Sequence, residues 1–380
     1  MRSASDDKRL IAVCCGLMFM YGCFMGAIQA VIESVAVSLG MDTAGMGSLV
    51  AVMHLPTIFL PVLMGAVADR IGRKPVIAGA CAVFAIGLAV CAGSATAGVY
   101  ILGALGIGAG YSVCESGGCA AMSDIGPEAA LKGINLSQAL LCLGAVITPA
   151  AIQMAHLSWR TVLYICAAGF VVMLPLVLLV RFPKIARDAP KQADAGGFRA
   201  LFASRAFVLL LVSILLYVGM ESGFGYFIES MISRKFAATV LPCVSLYWLG
   251  MMLSRFLFSS FHYRSRPVLV GCFWADVLIL AGIVVSSNQY LSLALCFLNG
   301  FAFGPIWSTL MAEATARHPA HAGAVSGLMS TGCGAGGIVF PLLTGLAAQH
   351  FSLSASFMML AVLAAAGGAL CAILPERRGA

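Results

Sequence analysis

The eleven residues Gly65-Ala66-Val67-Ala68-Asp69-Arg70-Ile71-Gly72-Arg73-Lys74-Pro75 join two long apolar runs. Their reading decides how the rest of the chain is read. Four charges fall within six residues here, in a chain of which only 10% is charged and 61% hydrophobic. A soluble domain carries about 25% charged residues. Most of this chain therefore meets lipid, and its charges gather in short connections such as this one. Three of the four are cations, the signature of a loop held on the cytoplasmic side of a membrane.

Outward from that loop, apolar runs of the length a spanning helix needs, about 20 residues, occupy 10–39, 44–68, 75–93, 98–123, 132–155, 160–182, 205–231, 236–261, 267–286, 290–314, 321–349 and 354–374. Twelve spans return the C-terminus to the side of the N-terminus. The basic residues agree. Of 22 lysines and arginines, 18 fall in connections on the side of the N-terminus, three (Arg160, Arg234, Lys235) on the other, and Arg255 within a span. This bias places both termini in the cytoplasm, in a multi-pass protein of the inner membrane. Arg2, Lys8 and Arg9 before the apolar run from Leu10 resemble a signal peptide. The run continues to about Leu39 with no small-residue cleavage site, so an uncleaved first helix is expected.

The net charge of +7 follows from these loops and orients the protein, so no nucleic-acid partner is expected. The 14 cysteines lie mostly inside apolar runs without metal or disulfide spacing, and read as small buried hydrophobes. No metal site, cofactor or catalytic constellation is expected, and with no phosphate-binding loop ATP does not drive the protein.

The longest polar stretch, 183–204, divides the chain into halves at 1–182 and 205–380. The halves repeat: Gly106–Gly110 in span four recurs as Gly300–Gly304 in span ten, and Gly133 as Gly327. Repeated six-helix halves about a central cavity are a transporter architecture.

The loop quoted first resembles the G-x-L-A-D-R-x-G-R-K signature of the major facilitator superfamily. The resemblance implies an all-α membrane protein of twelve transmembrane helices in two pseudo-symmetric six-helix bundles. In it Gly65 and Gly72 shape the turn, with close helix approach expected at Gly65, and Asp69, Arg70 and Arg73 form a charged gate that makes and breaks between conformations. A second resemblance covers most of the chain: Gly106-x-Gly108-x-Gly110-x4-Glu115, Gly133-Ile134-Asn135-Leu136-Ser137-Gln138, Tyr217-Val218-Gly219-Met220-Glu221 and Tyr247-Trp248-Leu249-Gly250 followed by Arg255. These are similar to the fucose–galactose–proton symporter family and its wider sugar-transporter relatives. Two departures stand out. Ser116-Gly117-Gly118 follows Glu115 where the family has Asn-Pro, and Gln29 and Glu33 stand where its first span has a proton-linked Asp.

Ionisable groups at membrane depth face the bundle interior and are functional candidates in their own right. Glu115 and Glu221 lie mid-span and Glu33 in the outer half of span one, which makes them the proton-coupling candidates. Glu115, Glu221 and Arg255 are also substrate-binding candidates, with Arg255 open to binding an anionic group, tying down a carboxylate or reaching the cytoplasmic side. Gln29, Asn135 and Gln138 supply donors and acceptors for a hydroxyl-rich solute. Tyr111, Trp248 and Trp307, with Tyr21 and Tyr226, offer stacking faces. His54 and Asn299 are further polar cavity candidates. Asp276, on peripheral span nine, is expected to find a local partner, and Asp124 and Glu313 to be helix-end or gate charges.

The expectation is a secondary transporter of a small polar solute, such as a sugar, with H+ a better candidate for coupling ion than Na+, acting as a monomer. Two other readings stand beside it: a proton-driven exporter of drugs or cationic amphiphiles, and a non-transporting sensor or scaffold. The export signature G-x-x-x-G-P-x-x-G-G is incomplete, since Gly144 and Pro149 are five apart and no Gly-Gly follows.

Overall fold

A backbone crossing lipid must satisfy its own N–H and C=O groups, and the α-helix does this within one segment. The structure, a computed structural model, describes residues 4–183, 201–236, 239–261, 263–318 and 322–375. Among them the apolar runs form fourteen α-helices: α1 Ala4–Ser38, α2 Thr43–His54, α3 Leu60–Ile71, α4 Arg73–Gly93, α5 Ala97–Ser123, α6 Pro127–Ala155, α7 Trp159–Leu179, α8 Arg205–Ser233, α9 Cys243–Ser259, α10 Ser265–Val285, α11 Gln289–Phe303, α12 Ile306–Arg317, α13 Ala322–His350 and α14 Leu353–Ala372. Eleven spans are long and apolar enough to cross a membrane, and α9 is a shorter apolar twelfth. Most of the 183–204 connection lies outside the described residues, as do Arg377 and Arg378.

Two of the expected spans are interrupted. Span two breaks into α2 and α3 at a 3-10 turn, Leu55–Ile58, with prolines at 56 and 61. Proline has no N–H to give to the helix ladder. Thr57 repairs part of the loss, its hydroxyl donating to the His54 carbonyl at 2.7 Å. Span ten breaks into α11 and α12 at Gly304-Pro305, where the Ser308 hydroxyl donates to the Pro305 carbonyl at 3.2 Å. Hydropathy runs unbroken across both sites, so the apolar pattern alone reads each as one helix.

The chain clusters into two compact units, Met1–Met41 with Val52–Ala189, and Asp42–Ala51 with Pro190–Ala380. In the first, α1 packs along α6, and α4 packs on α5 and α7. In the second, α8 packs along α13, α9 along α11, and α10 on α14. Small residues let the backbones come close. Gly300 of α11 lies so near α9 that a Cβ there would sit 1.8 Å from the Tyr247 carbonyl oxygen. Gly108 of α5 is crowded in the same way by the Met53 carbonyl. Met53 and Tyr247 stand at the same sequence offset as the two recurring glycine stretches.

Charged side chains close several helix ends. Glu229 of α8 accepts the Val244 N–H at 2.9 Å and so caps the N-terminus of α9, where a carboxylate meets unpaired N–H groups and a favourable dipole. Lys235 donates to the carbonyls of Ile283 (2.7 Å), Val284 (2.6 Å) and Ser286 (3.2 Å) at the end of α10, and burial holds its ammonium below the ordinary lysine range. Arg160 caps α4 through Ala92 at 2.7 Å and lies over the Trp159 ring.

Candidate functional site

In the first unit, α1, α5 and α6 bring four of the sequence candidates together. Tyr111 and Glu115 are four residues apart on α5 and therefore share a face. Tyr21 of α1 stacks on Tyr111, with ring centroids 3.7 Å apart and planes inclined by 8°. The Glu115 carboxylate and the Tyr21 hydroxyl are the hydrogen-bonding neighbours of the Tyr111 hydroxyl. Gln138 of α6 donates its amide to Glu115 Oε1 at 3.5 Å. Behind the tyrosine pair stand Phe24 and Phe84, edge to face at 5.4 Å, and Phe170, 4.1 Å from Phe84. That wall holds the ring pair in place from one side. Glu115, Tyr111 and Gln138 remain partly exposed.

This arrangement combines an acceptor of charge, an amide that can donate and accept, and a flat apolar face. It can grip a ring that bears hydroxyls or a positive charge. It also places a carboxyl group beside that face. Gln29, two turns along α1 from Tyr21, is buried, and Glu33 one turn further on is half-buried. Asn135 is exposed on α6.

The second unit holds the other carboxylate. Glu221 of α8 is the charged neighbour of three buried tyrosine hydroxyls, Tyr217 and Tyr226 on its own helix and Tyr247 on α9. Arg255 faces Tyr217 and Tyr247 as well. Trp248 is buried against Tyr247, while Trp307, just past the break in span ten, is 38% exposed. Asn299 does not join these groups. It is fully buried and donates to Asp276 Oδ1 at 3.2 Å, the local partner expected for Asp276.

The loop between α3 and α4 turns at Gly72, whose φ of 96° lies in the left-handed region that side chains avoid. Asp69 and Arg70 are exposed, and a Cβ at Gly65 would meet nothing within 4 Å, so no backbone crowds that position here. Arg73, at the first turn of α4, forms a two-pronged ion pair with Asp124 at the end of α5, through Nη2–Oδ1 at 3.0 Å and Nε–Oδ2. The corresponding end of α12 carries the pair Glu313–Arg317 at 2.8 Å. Arg73 and Asp124 are only 14% and 18% exposed. Removing either should therefore lower stability by about 1.5–3 kcal/mol, the range for hydrogen bonds to charged groups. A double-mutant cycle with Arg73→Ala and Asp124→Ala, read by thermal unfolding in detergent, should show the two losses to be strongly non-additive. Additive losses would mean the pair does not act as one unit.

Sequence reasoning missed Glu229, whose only signal was a second acidic residue, after Glu221, in the run 205–231. Its partner, the start of α9, is visible only once α8 and α9 are packed.

The model of the family described as Major Facilitator Superfamily matches residues 13–341 and 243–380. The chain is 22% identical to the uncharacterized MFS-type transporter YfkL of Bacillus subtilis over 383 residues, covering 95% of each chain. It is 25% identical to the multidrug resistance protein MdtL of Shewanella oneidensis over 331 residues, 83% of each. Among solved structures, the fucose:proton symporter FucP of E. coli shares the fold with a TM-score of 0.66 at 14% identity, over 97% of this chain and 98% of that one.

Proposed function

The chain belongs to the Major Facilitator Superfamily, whose members are transporters and not enzymes, and from that premise we propose that it carries a small, ring-bearing polar solute by proton-coupled alternating access. The solute class that fits first is a sugar or a molecule of similar hydroxyl pattern. The observation that carries this reading is the meeting of Glu115 with the stacked pair Tyr21–Tyr111 and with Gln138. Glu115 is the shared group: it takes a proton or a hydrogen bond from the solute, and the order of those events couples the two. Glu221, with Arg255 close to the same tyrosines, answers it in the second unit. Asp69, Arg70 and Arg73 serve the cytoplasmic gate of a monomer in the inner membrane, and the distribution of basic residues supports a cytoplasmic position for both termini.

A second reading has its own support. MdtL is named a multidrug resistance protein, and an acidic, aromatic site also suits a flat cation driven outward in exchange for protons.

Charge movement in proteoliposomes separates the two. Hexoses, nucleosides, amino acids and small acids are added in turn under an inward proton gradient. The symport reading expects a solute-dependent inward current for one class. No current for any of them, together with gradient-driven expulsion of a fluorescent cation, would replace symport by the export reading. Neither signal from folded protein would sink both.

A further inference from the structure

Asp276 lies in the middle of α10 with no solvent exposure, and so does its partner Asn299 on α11. One hydrogen bond joins them, from the Asn299 amide nitrogen to Asp276 Oδ1 at 3.2 Å. Each side chain keeps one oxygen, Asp276 Oδ2 and Asn299 Oδ1, that is fully buried and has no hydrogen-bond partner among the described residues. Both are acceptors. What the pair lacks is one donor, and an acid proton on Asp276 supplies it. A planar carboxylic acid and a planar primary amide complement each other in two places: the amide N–H gives to the acid carbonyl, and the acid O–H gives to the amide oxygen. Exchanging the amide's nitrogen and oxygen does not remove the need, since it would set two acceptor oxygens 3.2 Å apart.

Among the described residues no cation acts on Asp276. The titratable groups that interact with it are Cys272, one turn back on α10, and the Tyr247 hydroxyl on α9. The helices packed on α10 add little: α11 and α14 contain no Asp, Glu, Lys or Arg, and the acid and base of α12, Glu313 and Arg317, are paired with each other. A carboxylate here would leave one oxygen without a donor in apolar surroundings, the costliest state for a buried polar group.

We propose that Asp276 and Asn299 form a proton-binding site between α10 and α11, in which Asp276 is the neutral acid of a cyclic acid–amide pair. The proton is a resident ligand of the second unit. It is distinct from any proton carried by Glu115 or Glu221, and the proposal stands whether or not those residues couple transport. The pair joins two helices by two hydrogen bonds without placing a net charge in the membrane.

Infrared spectroscopy of the full-length protein in lipid tests it. The wild type minus Asp276→Asn difference spectrum should contain the C=O stretching band of a hydrogen-bonded, protonated carboxyl, equally strong at pH 6 and pH 9. Asp276→Asn keeps a planar partner for Asn299 and should retain the fold. Asn299→Leu provides a second readout that keeps Asp276 in place: the band should persist and move to higher frequency as its hydrogen bonds are lost. A difference spectrum showing only carboxylate bands would overturn the proposal, as would an unshifted band in Asn299→Leu. A melting temperature raised by sodium over choline in the wild type but not in Asp276→Asn would also overturn it, because an ionised Asp276 would then be binding a metal cation.

Discussion

Glu115→Gln is expected to abolish transport driven by a proton gradient while leaving solute-for-solute exchange measurable. Glutamine keeps the size and the hydrogen-bonding edge of the side chain, so Tyr21 and Tyr111 stay stacked and Gln138 still finds an acceptor. What it cannot do is take up and release a proton. Accumulation against a gradient should fall to background. Solute affinity should weaken by on the order of 10- to 100-fold, the loss expected when a charge-assisted hydrogen bond becomes a neutral one. The check is a paired measurement of gradient-driven uptake and of counterflow in the same proteoliposomes. Gradient-driven uptake at wild-type level would remove Glu115 from the coupling role.

The second large effect is structural. Gly300→Ala should prevent or severely weaken folding of the second unit. The added methyl group would fall 1.8 Å from the Tyr247 carbonyl oxygen and 2.7 Å from its carbon, and both are backbone atoms that cannot rotate away. Helices α9 and α11 would have to separate along their whole contact, which Gly250 also serves from the other side, its Cβ position lying 2.1 Å from the Phe297 carbonyl oxygen. Overpacking of a tight interior costs about 1–3 kcal/mol and sometimes more, and the upper end applies where backbone meets backbone. Gly271→Ala on exposed α10 surface is the control. Nothing lies within 4 Å of its Cβ, so it should be neutral or stabilise the helix by up to about 1 kcal/mol. Thermal unfolding and gel-filtration yield of the two variants compare them directly; equal melting temperatures would contradict the packing account.

The architecture was legible because lipid imposes it. A chain that must cross apolar solvent repeatedly advertises each crossing by length and composition, and the charges of the α3–α4 loop advertise the family. Much of the candidate site was legible for a related reason: carboxyl groups at membrane depth are rare enough to stand out singly, so Glu115 and Glu221 are candidates without any structure. The partnerships were not legible, because they depend on how each helix is rotated about its axis. Asn299 looks like a cavity amide in the sequence, and only the packing of α10 on α11 turns it toward Asp276. Glu229 gives no sign that it caps α9 until α8 lies beside it. The breaks in spans two and ten were hidden because Pro56 and Gly304-Pro305 interrupt hydrogen bonding without interrupting hydropathy.

The central claim is that solute and proton share the site at Glu115. The most direct measurement follows protons themselves: proteoliposomes loaded with a pH-sensitive dye, with no imposed gradient, given the solute that produces current. The account predicts that the lumen of wild-type vesicles acidifies as solute enters, with a fixed ratio of protons to solute, and that Glu115→Gln shows no pH change. Solute entry with a constant internal pH, or an unchanged proton signal in Glu115→Gln, would contradict it.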